Sequence, residues 1–452
     1  MSLRTLLTPI ISSRMLSRDR LLAHRIKAES ARAKAGKPHV VRVYLQVDDP
    51  YSVLLAQVLP EFLRRYPVAV QLSLVSPPPD GAAPERDKLV AYSRVDSQLL
   101  ARRHGLQFLD HGTQPDAVCL QHAARQLLTA IERGQGVTMA APVLLAAWGM
   151  PLDPATLREL AETPLATEQA LSSHQQAADA ERTRLGHYLG ATLHYEGEWY
   201  WGIDRLHHLE ARLEQLGLRL PEDPQPGMSP RVVPWGPLIP PHFDVQNPPK
   251  LPAGSPPIEF FLSFRSPYSA IVAPRVFAMA ERFGVQVQLR FVLPMVMRGL
   301  PVPKEKRQYI VRDTAREAWL QGTDFGRLND PVGKPTERGL SLIPWAEQQG
   351  HGREYVLAFM DLVWAKGVDA GSDRGLARIV RTAGLNWDEA KAALRNDEWR
   401  ARAEANRSLL FELGLWGVPS FRWGNVTAWG QDRLWVLEQA MLSSGGGSLG
   451  AQ

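Results

Sequence analysis

Two stretches of the chain carry the same succession of apolar and polar positions. In FFLSFRSPYSAIVAPRVFAMAERFG (260–284) an apolar run from Phe260 to Phe264 stops at Arg265-Ser266-Pro267-Tyr268-Ser269, and apolar residues then recur at helical spacing from Ile271 to Phe283. The pattern predicts strand, tight turn, helix. VYLQVDDPYSVLLAQVLPEFLRRYP (43–67) repeats it, with Pro50-Tyr51-Ser52 where Pro267-Tyr268-Ser269 stands later and Asp49 where Ser266 stands. A second strand follows in each half, over Val68–Val75 and Val285–Leu293, then a long mainly helical stretch, a hairpin and a final helix. In the second half the close runs from Gly417-Val418-Pro419-Ser420-Phe421 through a turn at Gly424-Asn425 and a strand ending at Trp429 to a helix from Asp432.

Aligning the two turns needs an offset of 217 (267 − 50), and the same offset places Tyr92 on Tyr309, Asp96 on Asp313, Gly105 on Gly322 and Phe108 on Phe325. WGIDRLHHLE (201–210) matches WGQDRLWVLE (429–438) at seven of ten positions with an offset of 228 (429 − 201), so about eleven residues (228 − 217) are added in the second half. A period this long predicts a duplicated domain rather than a solenoid of short repeats. Residues 221–257 hold 13 of the 36 prolines, which disfavours helix and central strand and predicts a semi-rigid linker. The expected organisation is a helical or disordered extension over 1–39, domains at 40–217 and 258–441, a linker at 218–257 and a disordered Ser/Gly-rich tail at 442–452.

A helical insertion between a βαβ half and a ββα half is the thioredoxin plan. With FLSFRSPYSA, GVPSF and WGQDRLWVLE in place, residues 258–441 resemble the 2-hydroxychromene-2-carboxylate isomerase and kappa-class glutathione transferase group of the DsbA-like thioredoxin superfamily. Residues 40–217 resemble it more weakly. The expected fold is therefore α/β, two thioredoxin-like (DsbA-like) domains each with a helical insertion. Dithiol members of this fold carry C-x-x-C at the turn, acidified by the helix dipole and free backbone N–H groups. Here that place holds Ser-Pro-Tyr-Ser, and a serine hydroxyl can instead donate to a thiolate brought from outside.

The resemblance implies glutathione as cofactor. It makes Ser266 the catalytic residue and Pro267 the opener of the helix, with Val418 and Pro419 the cis-proline element pairing with the tripeptide backbone. It also gives Gln431 and Asp432 the γ-glutamyl end. Ser266 and Asp432 as plain helix caps is the other reading of those residues. In the first half Asp49 replaces the serine and Gly190-Ala191-Thr192 stands for the Gly-Val-Pro element, Thr192 replacing the proline. A carboxylate beside a thiolate repels it, so that half is expected to keep the fold without the site. Because the family forms dimers, the resemblance also implies an intramolecular pseudo-dimer, with a further homodimer left open. The activity expected is glutathione-dependent isomerisation or transfer on a small unsaturated or aromatic electrophile. A non-catalytic DsbA-like scaffold is the alternative, and thiol-disulfide exchange is opposed by the missing C-x-x-C.

Composition narrows this further. A net charge of +5 without a block of consecutive basic residues in the body gives nucleic-acid binding little support. No apolar run approaches the roughly 18 residues of a membrane span, so no membrane partner and a cytoplasmic location are expected. The first 40 residues, rich in Arg and Ser and poor in acids, fit a plain N-terminal helix better than an organelle-targeting peptide. The single cysteine, Cys119, sits in an amphipathic helix pattern and reads as a buried structural thiol. His207-His208 has no ligand set at metal spacing and reads as solvated or capping. Trp319, Trp364 and Trp416 are candidates for an aromatic pocket or, at their helical spacing, for core.

Overall fold

The apolar run ahead of each turn becomes an inner strand of a four-stranded sheet. The computed structural model describes residues 3–221, 232–233 and 251–444. The chain opens with α1 (Leu3–Met15) and α2 (Arg18–Lys34), followed by β1 (Val40–Leu45), α3 (Pro50–Arg65) and β2 (Ala69–Leu74). Five helices come next: α4 (Arg86–His104), α5 (Ala117–Glu132), α6 (Gly136–Ala147), α7 (Pro154–Glu162) and α8 (Glu168–Leu185). The hairpin β3 (Thr192–Tyr195) and β4 (Glu198–Trp201) leads through a 3₁₀ turn at Ile203–Arg205 into α9 (Leu206–Gln215). The sheet order is β2-β1-β3-β4, with β1 parallel to β2 and the other pairs antiparallel.

The second half repeats the order with β5 (Ile258–Leu262), α10 (Pro267–Phe283) and β6 (Val287–Phe291). A 3₁₀ turn at Met295–Arg298 precedes α11 (Lys304–Gln321), α12 (Lys334–Ser341), α13 (Ile343–Gln348), α14 (Gly352–Trp364), α15 (Asp373–Thr382), α16 (Trp387–Ala393) and α17 (Trp399–Glu412). β7 (Ser420–Trp423), β8 (Val426–Trp429) and α18 (Leu434–Ser444) close the chain's described part. Its sheet order is β6-β5-β7-β8 with the same pattern of parallel and antiparallel pairs. β5 is buried at every residue, with α10 packed against it, and that is why its sequence is an unbroken apolar run apart from Glu259. Glu259 is neutralised in place by Arg290 and Arg422.

The chain divides into two compact units: His24–Trp235 with Pro303–Tyr309, and Met1–Ala23 with Gly236–Val302 and Ile310–Gln452. We call them the N-terminal and C-terminal units. In the N-terminal unit Lys306 donates to the Ala82 carbonyl, 2.8 Å away, and Tyr309 packs among Tyr44, Val75 and Trp199.

Several expectations are revised. Of the helical or disordered extension expected over 1–39, α1 and α2 take the helical alternative, and α2 is clasped by a bidentate Arg25–Glu198 pair, 2.7 and 2.8 Å. Within the expected linker, Val233 is buried in the N-terminal unit's core and the Val232 N–H donates to Glu210; residues 222–231 and 234–250 lie outside the described residues. Of the expected tail, residues 442–444 continue α18 and 445–452 lie outside the described residues. Cys119 is half-buried rather than buried, since it sits in the first turn of α5; its Sγ donates to the Ala147 carbonyl at 3.6 Å, and burial pushes its pKa up. His207 is buried, not solvated. Among the described residues no helix is long and apolar enough to cross a membrane.

Candidate functional site

Ser266 is the N-cap of α10, with extended backbone (φ −93°, ψ 112°), and its Oγ accepts from the Ser269 N–H at 3.1 Å. Pro267, fixed near helical φ and lacking an N–H, takes the first helical position at no hydrogen-bond cost. The Ser266 hydroxyl donates to the Val418 carbonyl at 3.2 Å, so the turn and the segment leading into β7 are joined directly. The Val418–Pro419 peptide is cis, as the resemblance implies, and the Pro419 carbonyl accepts from the Gly430 N–H at 2.9 Å. Ser263 and Ser269, both fully buried beside the turn, have hydroxyls with no protein partner.

Gln431 and Asp432 lie in the turn ahead of α18, which starts at Leu434 and not at Asp432. The Gln431 side chain faces inward and is engaged there. Its amide nitrogen donates to Glu317 (2.9 Å), while its Oε1 accepts from Arg275 (3.1 Å) and Gln321 (3.0 Å). Arg275 also donates to the Gln431 carbonyl at 3.2 Å. Burial pushes the Arg275 pKa below its ordinary value, opposed by Glu317, Asp432 and Glu438. Its Nε is buried without a partner, an unused donor in the network that sets the Gln431 backbone. Arg275, Glu317 and Gln321 were not singled out by sequence; a charged residue between Ala273 and Val276, within the apolar stretch of α10 from Ala270 to Ala280, was the available signal.

The candidate aromatic residues divide. Trp364 is buried and donates its indole N–H to the Phe264 carbonyl at 3.0 Å, so it supports the turn. Trp416 is buried against Trp429, and Trp319 is half-buried.

The N-terminal unit has the same scaffold with different chemistry. Asp49 caps α3, accepting from the Tyr51 N–H at 3.1 Å and from the Ser52 hydroxyl at 3.3 Å. Burial pushes its pKa up to about 7, with the Tyr51 hydrogen bond opposing and Asp48 adding to the rise. Asp49 is thus a partly protonated carboxyl near neutral pH, not the fixed anion that sequence implied. The strand register also corrects the expected alignment. Thr192 pairs with Tyr44 and Trp201 as Ser420 pairs with Phe261 and Trp429, so Ala191, not Thr192, stands at the position of Pro419. Ala191 has φ 49°, a left-handed backbone rather than an ordinary one, and its carbonyl accepts from Gly202 at 2.7 Å as that of Pro419 does from Gly430.

Taken together, a βαβ half, a helical insertion, a ββα half and a serine-capped turn beside a cis-proline place the C-terminal part among DsbA-like thioredoxin folds. Residues 257–442 match the family described as DSBA-like thioredoxin domain. A 2-hydroxychromene-2-carboxylate isomerase of Pseudomonas putida is 24% identical over 194 residues, covering 41% of this chain and 93% of that protein. Another of the same name, from Sphingobium xenophagum, is 22% identical over 191 residues, covering 41% and 97%. Among solved structures, one of 2-hydroxychromene-2-carboxylate isomerase aligns with TM-score 0.36 and 22% identity, covering 41% of this chain and 93% of that one. The cytosolic disulfide reductase DsbM from Pseudomonas aeruginosa aligns with TM-score 0.34 and 19% identity, covering 41% and 97%.

Proposed function

We propose that the C-terminal unit is a glutathione-dependent isomerase or transferase for a small unsaturated electrophile, resembling in chemistry what the name of its relatives specifies. The observation that carries this reading is a serine hydroxyl at the N-cap of α10, donating to the Val418 carbonyl at 3.2 Å, where a dithiol protein would hold a cysteine. The one cysteine of the chain lies on α5, in the N-terminal unit, and on this reading the sulfur comes from a ligand. Glutathione, when bound, would supply the nucleophilic thiolate that such an isomerisation or transfer needs, and Ser266 at the N-cap of α10 would hold that sulfur.

The residues present fit such a ligand. Ser266 exchanges its Val418 acceptor for the sulfur, favouring the charged thiolate and so lowering the thiol pKa. The positive end of the α10 dipole acts in the same direction. Pro267 keeps that helix start in register, and the backbone of Val418 and Pro419 offers an edge for the tripeptide. Asp432 takes the γ-glutamyl ammonium, and the Gln431 backbone, fixed by Arg275, lies beside it. The orphaned Ser269 hydroxyl and Arg275 Nε give this polar ligand partners that the protein does not use itself. The N-terminal half is read as a diverged duplicate of the same domain.

The test is isomerisation of 2-hydroxychromene-2-carboxylate followed by absorbance, with and without glutathione, alongside retention on immobilised glutathione. Retention and glutathione-dependent turnover support the reading. A protein that neither retains glutathione nor responds to it removes glutathione from the proposal.

A further inference from the structure

Helix α1 lies outside the residues that match the DSBA-like family, yet it belongs to the same compact unit as Ser266. Its inner side presents Pro9 and Ser12, and Leu16 follows directly after its last residue, all three buried. The seat is built to receive them. A Cβ on Gly367 (φ 71°) would stand 2.6 Å from the Pro9 Cβ, and one on Gly326 (φ 115°) 3.3 Å from the Leu16 Cβ. Only glycine meets both the left-handed backbone and the close approach. At the centre, the Ser12 hydroxyl accepts from the Leu328 N–H at 3.0 Å, and its proton faces the Leu328 and Pro9 carbonyls at 3.2 and 3.1 Å.

Leu328 is in the loop that reaches the turn. Asp330, two residues on, holds Arg265 in a bidentate pair (2.9 and 3.0 Å), and Arg265 directly precedes Ser266. A second path runs through α14: Gly326 N–H donates to the Trp364 carbonyl (3.0 Å), and the Trp364 indole donates to the Phe264 carbonyl (3.0 Å). Both residues ahead of Ser266 are therefore tied to the seat of α1. At the offset of 217, Arg265 and Asp330 correspond to Asp48 (265 − 217) and Thr113 (330 − 217), so the half without the serine also lacks the pair.

We infer that α1 is a strap that fixes the loop over residues 324–333, and through it the turn bearing Ser266, with Ser12 as a positioning residue. The strap stands on these contacts alone; only its effect on turnover rests on the proposed glutathione chemistry.

Hydrogen exchange of the full-length protein tests it without any ligand. In Ser12→Ala, amides of residues 260–270 and 324–333 are expected to exchange about tenfold faster, the scale of one net hydrogen bond. Ser12→Thr should restore protection, and Ser13→Ala, whose hydroxyl bonds only within α1 to Ile10, should change nothing. Asp330→Asn should release residues 260–270 while α1 stays protected. Unchanged exchange over 260–270 in either Ser12→Ala or Asp330→Asn overturns the strap. With glutathione turnover established, Ser12→Ala should lower kcat with KM for the electrophile unchanged and move the thiol limb of the pH–rate profile upward. Absence of turnover in the wild type would sink the functional reading and leave the exchange result to decide the strap.

Discussion

Tyr268 donates its hydroxyl to Asp313 across 2.7 Å, and Tyr51 donates to Asp96 across 2.8 Å; both members of the pair are offset by 217 (268 − 51, 313 − 96). Each pair ties the first turn of the helix after the turn to the first long helix of the insertion, on a carboxylate that is almost wholly buried. Arg316 supports Asp313 in addition, at 2.7 Å. Hydrogen bonds to a buried charged group contribute about 1.5–3 kcal/mol, so Tyr268→Phe and Tyr51→Phe should each lower stability by that order. Urea unfolding measures it. A loss confined to one half would show that the shared geometry is not a shared function of the scaffold.

Ser266→Ala removes the hydroxyl while keeping Pro267 and the helix. Loss of the cap costs about 1 kcal/mol of stability. On the proposed chemistry the larger effect is on rate, because a single donor to a developing anion contributes about 2.7–4 kcal/mol. Turnover should therefore fall by two to three orders of magnitude (~100–1000-fold) in a protein that is still folded by circular dichroism. Wild-type turnover in Ser266→Ala would take Ser266 out of the mechanism.

The repeated strand-turn-helix was legible because β5 and β1 are buried inner strands, whose apolar runs end abruptly at the turn. Ser266 and Pro419 were legible because N-cap chemistry and an X-Pro pair are local. The alignment of Ala191 with Pro419 was not, since it is fixed by strand pairing of Thr192 with Tyr44, a contact distant in sequence. Nor was the inward turn of Gln431, which depends on Arg275 and Glu317 arriving from two other helices. The role of Trp364 was ambiguous for the same reason: its indole finds a carbonyl 100 residues away. The seat of α1 depends on glycines at 326 and 367 that in sequence are only turn signals.

Asp49 makes stability of the N-terminal unit depend on pH. Burial raises its folded pKa to about 7, above the ordinary carboxyl value of 3.8, so between these values the folded state binds more protons than the unfolded one. Its contribution is therefore neutral below about pH 4, becomes unfavourable as pH rises toward 7, and is constant beyond that. Asp49→Ser keeps a capping oxygen and removes the titration. The variant should gain up to about 4 kcal/mol over wild type at pH 8 and nothing at pH 4, measured by urea unfolding at both values. A gain that is equal at both pH values would mean that Asp49 does not titrate in this window.

One glutathione per chain is expected, and the reason is steric as well as electrostatic. In the N-terminal unit the residue at the place of Val418 is Gly190, and Gln46 packs so closely there that a Cβ on Gly190 would lie 2.4 Å from the Gln46 Cβ. The residue corresponding to Gln46 in the other half is Ser263 (46 + 217), smaller and with an unpartnered hydroxyl. Space beside the turn is thus filled in one unit by a side chain that the other unit lacks. Replacing the charge alone should not open it, so Asp49→Ser should still bind one glutathione per chain by titration calorimetry. Ser266→Asp should bind none, because the single remaining site would then face its ligand's thiolate with a carboxylate. Two equivalent sites in the wild type, or binding that survives in Ser266→Asp, would place the ligand elsewhere than at the turn of α10.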